Sequence, residues 1–205
     1  MDMSLNSVTA PTVEPLTLVE AKSHLRVEIT DDDTLITRLI AVVRRHAEAS
    51  IRRALITQTW ELRLDRFPSS SLTPIHLPLP PLQSVTLISY VDTDGVSQTW
   101  AGSEYDVDAP KGETAAPGRV RPAWGKTWPT TRSQMNAVIV TFKAGYGDAE
   151  TDVPQAIRHG MLFLLGHLYE HREAVAHAQT VIKMPMATES LFATYKVASV
   201  MASQG

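Results

Sequence analysis

The clearest chemical vocabulary in the chain is His167-Leu168-Tyr169-Glu170-His171. This H-x-x-E-H spacing sets two imidazoles one helical turn apart, where they can share a zinc ion while the glutamate acts as base, as in one class of zinc peptidases. A catalytic site of that kind also needs a third protein ligand and an open cleft. Glu173 and Glu189, the next carboxylates downstream, lie too near for a separate ligand helix, so the competing reading is two histidines that cap and pack a helix end. His159 and His177 would serve a non-catalytic metal site equally well. A second candidate is cationic: Arg38, Arg45 and Arg52 recur every seven residues, with Arg44 and Arg53 alongside. Such a stripe can meet DNA phosphates or another protein chain, although Glu48 interrupts it and a solvated or salt-bridged face is the usual state of helix charges.

The remaining catalytic vocabulary is nearly empty. There is no G-x-G-x-x-G, no G-K-[ST] and no G-x-S-x-G, and Gly145-Tyr146-Gly147 alone specifies no phosphate cradle. The absence of cysteine excludes a disulfide framework, cysteine-bound zinc or iron–sulfur sites and a cysteine nucleophile. We therefore assign no catalytic, cofactor or metal residue and expect a protein that is not an enzyme and carries no cofactor. At 205 residues, 43% hydrophobic and 20% charged, the chain has a globular composition. Its net charge of -3 argues against coating nucleic acid through whole-body attraction. The longest apolar run, residues 161–165, is far below the roughly 20 residues of a membrane span. The first residues show neither a basic nor a continuous apolar signal region, so the expectation is synthesis in the cytoplasm and no membrane partner.

These residues have to be positioned by an α+β fold. Residues 1–16, with Pro11 and Pro15 and no periodicity, read as an extended arm. Thr17-Leu18-Val19-Glu20 fits a capping box that opens a short helix, and Thr30-Asp31-Asp32-Asp33 opens a long one to about residue 54, with Ile36, Ile40, Val43, Ala47, Ile51 and Ala54 as its apolar stripe. Residues 57–64 then alternate as a strand, 74–81 offer a short edge segment among prolines, and Asp94-Gly95 joins strands 85–91 and 97–100 in a hairpin. Strands at 105–107 and 137–142, separated by a loop at 109–118, complete a small antiparallel β domain. Trp60, Trp100, Trp124 and Trp128 sit in or beside it and read as core or interface anchors, because no basic residues interleave with them for base stacking. Helix resumes after Pro154 and runs to about residue 172. It is apolar nearly all round, which makes Met161, Leu162, Phe163 and Leu165 candidates for a subunit interface. Residues 174–185 read as a linker, and Leu191, Phe192 and Tyr195 project from one side of a last short helix. The domain division is thus an arm at 1–16, a helical core at 17–55 and 153–173, an inserted β domain at 56–150, and a linker, short helix and tail at 174–205.

The order of these pieces resembles a known family. Leu16-Thr17-Leu18-Val19-Glu20-Ala21-Lys22-Ser23-His24-Leu25-Arg26-Val27, the acidic start at Asp31-Asp32-Asp33, Ala54-Leu55-Ile56-Thr57-Gln58-Thr59-Trp60, Pro80-Pro81-Leu82, Tyr90-Val91-Asp92, Ala144-Gly145-Tyr146-Gly147-Asp148, Val153-Pro154 and Tyr169-Glu170-His171-Arg172-Glu173 together resemble the head–tail connector (adaptor) proteins of tailed bacteriophages and phage-like gene transfer agents. The resemblance spans about residues 16 to 195. It implies a structural subunit of a homo-oligomeric ring, about a dodecamer, at the head–tail junction of the virion. The implied partners are the portal protein, tail-side connector or stopper proteins, and the genomic DNA passing through the channel. On this reading Leu191, Phe192 and Tyr195 dock onto the portal, and Met161, Leu162, Phe163 and Leu165 meet neighbouring subunits. Arg38, Arg45 and Arg52 contact a subunit or the DNA. A zinc-dependent hydrolase built on His167, Glu170 and His171, and a DNA-binding module built on the arginines, are the alternatives.

Overall fold

The stretches of period two and the stretches of period 3.6 fold as two compact units in a computed structural model that describes residues 3–171 and 186–197. The described part of the β unit is residues 3–11 and 57–146, and that of the helical unit is residues 12–56, 147–171 and 186–197.

In the β unit the strands are β1 (Met3–Thr9), β2 (Gln58–Leu64), β3 (Ile75–Leu77), β4 (Leu82–Val91), β5 (Ser97–Thr99), β6 (Tyr105–Asp108), β7 (Gly118–Pro122) and β8 (Val138–Ala144). They pair antiparallel in a five-stranded sheet of order β1-β2-β8-β4-β5 and a three-stranded sheet of order β3-β7-β6. Val140 lies opposite Leu62 on one side and Ile88 on the other, and all three are buried, so alternation on β2 sets the register of the larger sheet's centre. Gly95 takes a positive φ of 85° in the expected hairpin. The Asp92 carboxylate fixes that turn by accepting from the backbone N–H groups of Asp94 and Val96 and from Gln98 Nε2. The bond from Gln98, then that from Val96, hold the Asp92 carboxyl below its ordinary 3.8. Phe67, Tyr90, Trp100, Tyr105 and Trp128 form an aromatic cluster with ring centroids 5.0–5.7 Å apart.

The helical unit consists of α1 (Leu18–Leu25), α2 (Asp33–Ile51), α3 (Gln155–Glu170) and α4 (Met186–Ala193). α2 buries Ile36, Ile40, Val43, Ala47 and Ile51, the stripe its sequence spells out. Thr17 caps α1 by accepting from the Glu20 N–H at 3.1 Å. The reciprocal half of the expected box is replaced: the Glu20 carboxylate takes a two-pronged bond from Arg158 Nη2 on α3, at 2.7 and 2.9 Å. α3 packs against α1, α2 and α4.

Two expected loops turn out to be ordered differently. Residues 3–9, read as part of an arm, form strand β1 on the edge of the larger sheet; only Met3 and Leu5 on it are even half-buried, so its residues show little of the alternation that marks a strand. Farther along, residues 14–16 are held on the helical unit, with Glu14 bonded to Arg44, the Pro15 carbonyl to Arg158, and Leu16 buried. Strand β7 starts at the last residue of the expected 109–118 loop and shows no clear strand signal in the sequence, because Gly118 and Pro122, both poor strand formers, bound it. Gly118 is required there: a Cβ at that position would sit 2.2 Å from Leu82 Cδ2. Gly118→Ala is therefore expected to cost about 1–3 kcal/mol by overpacking, read as a lower urea midpoint at unchanged slope. A neutral or stabilising result would show that Leu82 moves freely aside.

Candidate functional site

The H-x-x-E-H residues close α3. His171 donates from Nδ1 to the His167 carbonyl at 2.9 Å, and its backbone N–H reaches the same oxygen at 3.1 Å. The two rings lie 4.5 Å apart, and Glu170 is exposed. Tyr169, between them, donates its hydroxyl to the Asp32 carboxylate at the start of α2. The bonds drawn here are those of a helix end and an interhelical tie. Among the described residues no group of three His, Cys, Asp or Glu side chains is placed to hold a metal. His159 packs edge-on against Phe163, and His177 lies outside the described residues.

The arginines on α2 and just after its end divide into two sets. Arg44 is buried and bonded to Glu14 at 2.7 Å and to Glu48 at 2.8 Å. Burial opposes its charge, but the hydrogen bonds and Coulombic attraction of the two carboxylates prevail and raise its pKa above its ordinary value. Arg53, also buried, donates from Nε to the Tyr195 carbonyl at 2.6 Å. Arg38, Arg45 and Arg52 are exposed. Glu48, which seemed to interrupt their stripe, is turned to Arg44 and to the Leu55 N–H instead. Val42, 51% exposed, lies between Arg38 and Arg45.

Both apolar candidates are corrected by burial within the unit. Met161, Leu162 and Leu165 are buried, because α3 has three helices around it; its all-round apolarity reflects a central position in its own bundle. Phe163 is half-buried, with its ring against His24 and His159. Phe192 and Tyr195, expected as an apolar patch with no local partner, are buried too, and Leu191 is half-buried. The Phe192 ring covers Gly160, where a Cβ would come within 2.7 Å of it, and Thr188 Oγ1 donates to the Gly160 carbonyl. Helical spacing identified the apolar side of α4 but could not show that a glycine on α3 leaves a seat for it. The linker expected at 174–185 lies outside the described residues.

Two exposed features stand apart from these: Trp124, one of the tryptophans expected as core or interface anchors, and Ile29, which no sequence pattern singles out. Trp124 is fully exposed, on a turn in which Gly125 has a φ of 76° and the Lys126 N–H bonds to the Ala123 carbonyl; Lys126 also pairs with Glu104 at 3.0 Å. The corner between α1 and α2 presents Ile29, 61% exposed, while Lys22 Nζ ties it from behind through the Ile29 carbonyl and Asp33. An enclosed reaction site has no counterpart among these. A cleft of about 340 Å³ in the β unit is lined by Leu72, Pro74, Val107, Asp108, Arg119 and Arg121, and its Arg119 and Asp108 pair with each other at 2.7 Å.

If α4 is a core element, Phe192→Ala should lower global stability by about 3–5 kcal/mol in urea or thermal unfolding of the purified chain. A loss below about 1 kcal/mol would return Phe192 to the status of a free docking residue.

Comparison with known proteins supplies the frame for these surfaces. Residues 15–93 match the family model described as phage gp6-like head-tail connector protein. No curated protein sequence matches the chain. Among solved structures, a chain from the neck of an empty gene transfer agent particle, computed with C6 symmetry, aligns at a TM-score of 0.77 and 22% identity over 98% of this chain and all of its own. A chain from the virion of a native gene transfer agent particle aligns equally well, at 0.77 and 22% over 98% of this chain and 99% of its own. One from the neck of a native particle, computed with C12 symmetry, gives 0.69 and 21% over 98% and 100%. The head–tail connector resemblance carried by the motifs is thus met by the family model over residues 15–93, and the α+β fold is one that gene transfer agent neck and virion structures contain.

Proposed function

We propose that this chain is a structural subunit of a head–tail connector, built into a ring beneath the portal of a virion or phage-like particle and joining it to tail-side proteins around the DNA channel. The observation that carries the reading is the agreement in fold over 98% of the chain with a neck protein, together with the family match over residues 15–93. The solved necks were computed with six-fold and twelve-fold symmetry, which supports about twelve copies here. The role is mechanical rather than catalytic. A net charge of -3 suits a subunit near moving DNA, because an adhesive basic wall would slow passage. Among the described residues no helix is long and apolar enough to cross a membrane.

A ring of identical chains closes through two different surfaces on each copy, and its upper and lower rims meet other proteins. For the rims the best anchor in view is Trp124, since an indole held wholly in solvent on a tied turn loses little conformational freedom when a pocket receives it.

Electron microscopy of particles carrying this chain with a small added label should place multiple copies at the portal vertex. A single copy, or a position elsewhere on the particle, would overturn the connector reading. Trp124→Ala should leave the unfolding free energy of the isolated chain within about 0.5 kcal/mol of the parent while lowering the yield of joined heads and tails. Normal yield would remove Trp124 from the rim contacts.

A further inference from the structure

We propose that, in the ring, the α1–α2 corner of one copy, Glu28, Ile29 and Asp31, seats on the outer face of α2 of the next copy, Arg38, Val42 and Arg45. This deepens the connector reading and rests on it. The two surfaces are counterparts in composition. Each presents one exposed aliphatic side chain flanked by two charged ones, acidic on the corner and basic on the helix. Among the described residues no side chain of Glu28, Asp31, Arg38 or Arg45 has a hydrogen-bond or ion-pair partner, although those of Arg44, Lys22, Glu48 and Asp33 nearby are all paired.

Both surfaces are also preorganised. Arg38, Val42 and Arg45 follow one another at four- and three-residue steps on the side of α2 opposite its buried stripe. The corner is held by Lys22 Nζ, which donates to the Ile29 carbonyl at 2.8 Å and to Asp33 at 2.6 Å. Because the surfaces differ and share no residue, the contact they make is head-to-tail, the kind that generates rings. Val42 selects a protein copy over nucleic acid: it stands at the centre of the cations, where a phosphate backbone would leave it unmatched and Ile29 would cover it.

The chain contains no cysteine, so paired cysteines report the contact without background. In the doubly substituted chain, Ile29→Cys with Val42→Cys, an intrachain disulfide is out of reach. Residues 33–42 of α2 alone rise about 14 Å, whereas bridged Cα atoms lie within about 7 Å. Oxidising assembled particles should therefore yield a ladder of covalent multimers of this chain, and a mixture of the two single variants should yield dimers only. Arg38→Glu with Arg45→Glu should lower incorporation at least about tenfold, and combining it in the same chain with Glu28→Arg and Asp31→Arg should restore it. Circular dichroism of each variant separates misfolding from lost contact.

If microscopy shows a ring of this chain and the cysteines do not bridge, the proposed contact is wrong and the connector reading stands. If no ring is present at the vertex, both fall. If the ring bridges poorly while Arg38→Glu with Arg45→Glu abolishes salt-sensitive retention of duplex DNA, the face belongs to nucleic acid and the proposal is overturned.

Discussion

A guanidinium inside a protein must be given carboxylates or carbonyls, and the helical unit is organised around meeting that demand twice, once on α2 and once just beyond its end. Arg44 takes Glu14 and Glu48; Arg53 takes the Tyr195 carbonyl. Removing both carboxylates from Arg44 would leave an uncompensated buried charge, which costs about 3–5 kcal/mol. These bonds also tie distant parts of the chain. Glu14 belongs to the segment following β1, and Tyr195 to the segment following α4. Arg158 does the same for α3 by holding both Glu20 and the Pro15 carbonyl. With its inner cations neutralised this way, α2 is left with Arg38, Arg45 and Arg52 outside, so the internal pairing decides which charges are available to other molecules.

The elements that a single period determines can be read from the sequence alone. The apolar stripe of α2, the alternation of β2 and the Asp94-Gly95 turn each depend on residues within a few positions of one another, and each takes the form its sequence implies. What could not be read depends on partners far along the chain. Phe192 has a helical face in sequence, but its burial depends on Gly160, thirty-two positions earlier. Glu48 looked like a break in a cationic stripe because spacing gives direction around a helix only coarsely, and a long side chain near the edge of a face can be drawn inward by a buried arginine. β1 shows a different limit: its alternation is confined to Met3-Ser4-Leu5-Asn6, too short a run to mark a strand, and its pairing with β2 is a property of the backbone.

The candidate site divides along the same line. The arginine positions were legible because exposure follows directly from the period of α2. The apolar sets are less legible, because hydrophobic surface identifies what must be covered, not which chain covers it. α3 is the central case: a helix surrounded by α1, α2 and α4 needs apolar residues on nearly every side, and no second subunit is required to explain them.

That reassignment changes the kind of interface the protein can form. Had Met161, Leu162, Phe163, Leu165, Phe192 and Tyr195 been exposed, the free chain would carry a continuous apolar patch and associate before meeting its template. With most of that surface buried, the outer faces of the helical unit that remain are charged with small aliphatic centres, such as Val42 and Ile29. Contacts of that type are weak singly and dependent on register, since a shift of one helical turn sets like charges together. A closed ring repeats the contact around its circumference and holds each copy at both sides, so modest pairwise affinity is enough once a template brings the copies together. In the ring proposed above, one division of side chains serves both needs: the inward arginines are paired within the chain, and the outward ones on α2 are left for the next copy.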